Sequence, residues 1–464
     1  MNARNCDPPA NGRSCLALFR MIISIALLSF LWMIFFNIVA QILDKEEIRR
    51  SIEMAFIKGD LIEDPYSPQD LRRGVNQFND CLILQATLLD QRSILVDGIS
   101  ATVLADEAPC LRLHEFVRSH SVDPQRLYSY PRYLWGARAL TAFWLRVASL
   151  GSLRVAVEAA VYVLLVCSLI LAVFSLRTRR SMSTDQGLFN YSVAVYSGVY
   201  LAFSSLQYFA PNIGHGFSEL VIALFLAAQL LRGQRRKLSV RVLDLSLFGA
   251  WTAYFDLLTG PLVVGIVLTG ILAIFQNDED TTWSTPRRMW VHMGIFALAF
   301  SAVMFAQQIA AYLVLGGAPL KDFWIHLAIR LQLHHVLGLS VPPLWQTASN
   351  MASYGPADVV RSIWDSMPML TFGSRPLAIA VTVVSVALIV SGIILASRAK
   401  APSIRPQLTS VLMLLPIVPA WYLVFINHTV VHSFGAVRMM CMPITLSAIV
   451  FILGFHAFLG NEEK

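Results

Sequence analysis

Leu18 to Ile42 reads LFRMIISIALLSFLWMIFFNIVAQI, an apolar run carrying one charge, Arg20, near its start. A helix rises 1.5 Å per residue, so about 20 such residues cross a hydrocarbon core of about 30 Å. The run is too long for a cleaved leader and has no small-residue cleavage site, so it predicts a retained first membrane span. Further apolar runs follow near residues 153–175, 188–206, 216–231, 242–257, 260–276, 290–315, 376–396, 408–426 and 441–459. The expected fold is an all-α polytopic membrane protein with about ten transmembrane helices.

Composition agrees. Hydrophobic residues make up 56% of the 464 and charged residues 14%, a balance that does not keep a domain of this size in solution. The formal charge of +7 would suit nucleic acid if it lay along one polar face. It lies instead in short clusters between apolar runs, so nucleic acid is excluded and membrane lipid is the expected surrounding.

Those clusters set the sidedness, because Lys and Arg accumulate in loops that stay on the cytoplasmic side. Arg4, Arg13 and Arg20 place the N-terminus inside. Every second loop is then basic: Arg177, Arg179 and Arg180; Arg232, Arg235, Arg236 and Lys237; Arg287 and Arg288; Arg398, Lys400 and Arg405. The short loops of opposite parity, at 210–218, 258–260 and 427–437, contain neither Lys nor Arg. Two long polar stretches, 43–150 and 316–375, fall outside. The first opens with a charged amphipathic segment, Asp44 to Lys58, and closes with another rich in aromatics and arginines, Tyr128 to Arg146, both expected to lie along the interface. No internal repeat or low-complexity tract is present, so 1–464 is expected to form a single membrane domain.

The six cysteines show no metal or redox spacing. Only Cys81 and Cys110 fall in a segment placed outside the cytoplasm, where a disulfide is permitted; the pairing stays open at this level. No phosphate-binding loop, zinc-protease or hydrolase motif occurs in a credible context. Ionisable residues do gather at the outer mouths of the spans, where a semi-buried charge is costly and marks function. Asp80 lies in the first outer loop, Glu219 at the outer start of the fourth span, and Asp256, after Tyr254, at the outer end of the fifth. His428 and His432 are four residues apart, which puts both imidazoles on one face if the stretch is helical, and Arg438 follows. Each has a plain alternative: an exposed loop carboxylate, a helix-start carboxylate, a turn-forming Asp, interfacial histidines with a snorkelling Arg. Their shared side is the stronger signal, since carboxylates beside His and Arg suit proton acceptance next to an anionic leaving group such as a lipid phosphate.

These residues resemble the GT-C superfamily of membrane glycosyltransferases, whose long first outer loop holds a catalytic Asp or Glu, with a second acidic position in the next outer loop. Asp80 and Glu219 occupy the matching places. Tyr130–Gly136, Tyr254–Thr259 and Asn427–His432 followed by Arg438 are similar to segments of bacterial GT-C-like proteins. The resemblance implies an inverting transfer from a polyprenyl-phosphate sugar to a glycan, lipid or protein acceptor outside a bacterial plasma membrane. Asp80 would be the catalytic base, and Glu219, Asp256 and Tyr254 would form the second acidic and sugar-binding set. His428, His432 and Arg438 would hold the lipid phosphate. Tyr133, Trp135, Tyr208 and Tyr254 are open to stacking on sugar faces or to interfacial anchoring, and Arg330, His334 and His335, with the loop around Trp345, to covering the site or to an ordinary surface role. There is no Asp-x-Asp pair of the metal-dependent members, so a divalent cation is left undecided and no other cofactor is expected. The rival expectations are a lipid-linked oligosaccharide flippase or other transporter, for which Gln307 and Gln308 inside the seventh span speak, and a polysaccharide ligase or polymerase.

Overall fold

The computed structural model describes residues 12–64, 71–89, 93–104, 108–121, 127–130, 136–178, 185–233, 235–256, 260–278, 283–334, 336–337, 352–371, 373–398 and 404–459. Among them, seven helical stretches are long and apolar enough to cross a membrane: Leu16–Gln41, Leu150–Arg177, Ile213–Arg232, Thr285–Leu315, Arg375–Arg398, Arg405–Val424 and Ser433–Leu459. Each coincides with an expected span. The chain is therefore an all-α polytopic membrane protein.

The first outer stretch folds into a layer of its own on top of the bundle. Helix α1 (Gly12–Gln41) leads to Asp44, whose carboxylate accepts the Glu46 N–H at 2.9 Å and starts α2 (Lys45–Ile57). Glu46 and Glu47 in the first turn suit the helix dipole, and Ile48, Ile52 and Ala55 form its buried stripe. After α3 (Leu71–Leu88) and α4 (Ile94–Ile99) come β1 (Ala101–Leu104), α5 (Pro109–Ser119), β2 (Leu127–Tyr130) and α6 (Gly136–Leu145). The two strands pair antiparallel, with Ala101 opposite Tyr130. Cys81 and Cys110 are bonded, tying α3 to α5, which decides the pairing the sequence left open and agrees with an oxidising side. Ser51 donates to the Leu145 carbonyl at 2.8 Å and Lys45 to that of Thr87 at 2.6 Å, so α2, α3 and α6 are locked to one another.

Below this layer lie α7 (Leu150–Thr178), α8 (Asp185–Phe203), the short α9 (Leu206–Phe209), α10 (Ile213–Arg232), α11 (Leu238–Phe255), α12 (Pro261–Phe275) and α13 (Thr285–Leu315). Pro261 opens α12, where its missing N–H is harmless. α11 packs on α13 at Gly249, where a Cβ would come within 2.4 Å of the Phe296 carbonyl oxygen. Lipid chains are as apolar as Leu, so helices in a bilayer gain by close approach of this kind rather than by hiding from water. At the far end of α12, Arg288 donates to the Ala273 carbonyl at 2.8 Å, satisfying that helix end.

The second outer stretch supplies α14 (Ala318–Arg330) and α15 (Pro356–Ser366). Tyr128 of β2 donates to Asp322 of α14 at 3.0 Å, so the two outer stretches meet. The chain ends in α16 (Arg375–Arg398), α17 (Arg405–Leu414), α18 (Ile417–Val424), α19 (Ile426–Val431), α20 (Ser433–Ala436) and α21 (Cys441–Leu459), with a 3-10 turn at Val437–Met440. The run expected as one helix near 408–426 is divided into α17 and α18 at Leu415-Pro416, where proline removes a hydrogen-bond donor. α16 crosses α21 where Gly392 meets Gly454, the Gly392 carbonyl lying 2.2 Å from a Cβ built on Gly454.

Candidate polar site

Asp80 is fully buried in α3, not exposed on a loop. Its Oδ1 accepts the Gly214 N–H at 3.2 Å, and its Oδ2 accepts Arg154 Nε at 3.1 Å. One carboxylate thus completes the N-terminus of α10 and neutralises a guanidinium of α7. Burial raises its proton affinity above the usual carboxylate range, while Arg154 and the amides of Gly214 and Ile213 pull the other way. The neighbouring Asn79 amide donates to Nε2 of His215 at 3.1 Å, which makes that nitrogen the acceptor.

One turn further along α10, Glu219 is buried and accepts Arg438 Nη1 at 2.7 Å and the hydroxyl of Tyr200 from α8. The Arg438 guanidinium also lies over the Phe209 ring, 4.8 Å from its centroid. Gly260 faces Arg438 Nε, where a Cβ would stand at 2.9 Å, and its φ of 144° is open only to glycine. Asp256 Oδ2 accepts the Leu262 N–H at 3.1 Å, satisfying an amide in the first turn of α12 next to Gly260.

The late histidines join the same region. The His432 N–H donates to the His428 carbonyl at 3.0 Å, and the two imidazoles lie side by side, tilted by 54° with centroids 4.6 Å apart, the shared face expected from their spacing. His215 interacts electrostatically with both Arg438 and His432. Burial, with the charge of Arg330 from α14, lowers the His432 pKa to about 4. At neutral pH that imidazole is uncharged, so it acts as a hydrogen-bonding or proton-accepting group and Arg438 carries the fixed charge.

Tyr254 is not part of this cluster. Its hydroxyl donates to Asn37 of α1 at 3.0 Å, and its ring packs against Gly136. Tyr133, Trp135, His335 and Trp345 lie outside the described residues. His334 is buried, and the charge of Arg330 acts on His432. Sequence reading passes over Arg154, His215, Asn79 and Tyr200. Arg154 carried a signal: an arginine at the outer mouth of a span runs against the charge bias of loops and calls for a partner. Among the described residues, no group of three or more His, Cys, Asp or Glu is placed to hold a metal ion.

Fold and site together define a polytopic membrane protein with a buried acid, imidazole and guanidinium cluster at the N-terminal end of α10. Comparisons with protein-family models, with curated proteins and with solved structures each find no match.

Proposed function

We propose that the chain is a GT-C-type glycosyltransferase of a bacterial plasma membrane, crossing the bilayer ten times. The three further crossings are α8, α11 and α12, which occupy the expected spans 188–206, 242–257 and 260–276. It moves a sugar from a polyprenyl-phosphate donor to a glycan, lipid or protein acceptor on the outer side.

One observation supports the reading above others: a single helix end, at Gly214, His215 and Glu219, gathers Asp80 from the first outer stretch and Arg438 from the last span. The donor phosphate takes the place of Glu219 on Arg438, where a planar guanidinium suits it, and neutral His432 adds a hydrogen bond. Asp80, its proton affinity lifted by burial, accepts the proton of an acceptor hydroxyl as that oxygen bonds to the anomeric carbon. The carbon–phosphate-oxygen bond breaks in the same step, the configuration inverts, and polyprenyl phosphate leaves. Glu219 and Asp256 bind sugar hydroxyls. The flippase rival loses its main support, because Gln307 spends its amide on the Ile99 carbonyl at 2.7 Å, as a packing contact would.

Purified protein incubated with a panel of polyprenyl-phosphate sugars is expected to release the lipid phosphate with one donor. Asp80→Asn is expected to cut turnover by about 100- to 10,000-fold while the protein stays folded. No release with any donor, together with specific binding of a lipid-linked oligosaccharide, would transfer the assignment to the flippase.

A further inference from the structure

An apolar cavity lies away from that cluster, on the flank of the bundle. Its volume is about 430 Å³, within the range of small-ligand sites, and α10 and α11 form its walls, with Phe217, Leu224 and Phe248 among the lining residues. Along α10 it runs from Phe217 to Arg232, a distance of about 22 Å at 1.5 Å per residue. Leu224 and Leu247 on its rim are 49% and 36% exposed, so the groove opens sideways, to the bilayer interior.

The two ends differ in chemistry. Toward the outer face the lining is Leu140, Phe217, Trp251 and Phe255, none of them charged; toward the cytoplasm it is Gln229, Arg232 and Asp244. Asp244 is shared by Arg232 and Arg236, and Arg241 is fully buried beside Gln229. Three arginines against one aspartate leave two positive charges in excess among these described side chains. The Arg232 side chain is 55% exposed, and it is the cation that a molecule in the groove reaches first. Buried Arg236 Nε has no hydrogen-bond partner among the described residues.

We infer that this groove holds one anionic phospholipid of the cytoplasmic leaflet, its acyl chain between α10 and α11 and its phosphate on Arg232. An apolar slot of this length facing lipid takes a chain, and the position of the cations decides which way the head points. Among the described lining residues, none at the other end of the slot is a cation. Such a lipid braces α10, whose opposite end carries the polar site.

The test is native mass spectrometry of the full chain in detergent, titrated separately with dioleoyl phosphatidylglycerol, dioleoyl phosphatidylcholine and a polyprenyl phosphate. One phosphatidylglycerol is expected to bind more tightly than phosphatidylcholine. Arg232→Gln, which leaves Asp244 paired with Arg236, is expected to weaken it by about fivefold. Leu224→Trp, which fills the slot without touching a charge, is expected to abolish the bound lipid, and circular dichroism checks that both variants stay folded. Equal binding of the two phospholipids, indifference to both substitutions, or polyprenyl phosphate as the preferred and Arg232-dependent ligand would each overturn the inference.

Discussion

Glu219 and Arg438 are each 1% exposed and answer each other across two spans. Removing one partner strands a buried charge at a cost of roughly 3–5 kcal/mol, whereas removing both does not. Glu219→Gln and Arg438→Met are each expected to lower the thermal midpoint in detergent. The double variant should recover much of the loss, and strictly additive losses would show that the pair is not coupled. His432 gives a prediction in pH. Its folded pKa of about 4 lies below its ordinary 6.5, so the unfolded chain takes up a proton first as pH falls. Its contribution is complete above about 6.5 and is lost as pH drops toward about 4. Unfolding of His432→Gln, compared with the parent across that window, is expected to show a shallower pH dependence; identical slopes would contradict the burial of this imidazole. Asp80, Glu219, Asp256 and Arg438 were legible as candidates because each breaks an apolar pattern. Their partners were not, since Arg154 and His215 take their meaning from a segment that sequence spacing alone does not bring near.

Elements were legible wherever period and charge act locally. The span boundaries followed from apolar length, and α2 followed from an Asp ahead of an amphipathic stripe. What apolar length passes over is breakage within runs: the late run divides at Pro416 for the local reason given above, and 427–440 coils through short helical turns by tertiary demand, because Asn427, His428 and Arg438 all face inward. The same holds for the layer over the bundle. Its register rests on the Cys81–Cys110 bond, which closes a loop across 29 residues of separation and is worth about 3 kcal/mol by chain entropy. Because Cys81 follows Asp80 directly, replacing both cysteines by serine is expected to destabilise α3 on α5 and to loosen the contact of Asp80 with α10. Hydrogen exchange would report it as lost protection at the N–H of Gly214, with α16 and α21 unaffected. Unchanged exchange at Gly214 would show that the disulfide does not support the site.

For the whole molecule, everything depends on which way the bundle faces, and α10 makes the matter measurable. Its 20 residues span about 30 Å, the full hydrocarbon thickness. The polar cluster sits at its first turns and the arginines at its last, so if one end is outside the other is inside. The disulfide suits an oxidising compartment for the first-loop layer, and the Lys and Arg distribution independently predicts Arg232, Arg236 and Lys237 on the cytoplasmic side. Val147, just beyond α6, is 84% exposed, and Lys237 sits at the start of α11. Single cysteines at these two positions, in a chain that retains only Cys81 and Cys110, can be probed on intact cells with a membrane-impermeant maleimide. Val147→Cys is expected to label at once, and Lys237→Cys only after permeabilisation. The reverse pattern would put the acid, imidazole and guanidinium cluster in the cytoplasm, away from outer-side acceptors, and would remove the transferase reading together with the inner-leaflet lipid.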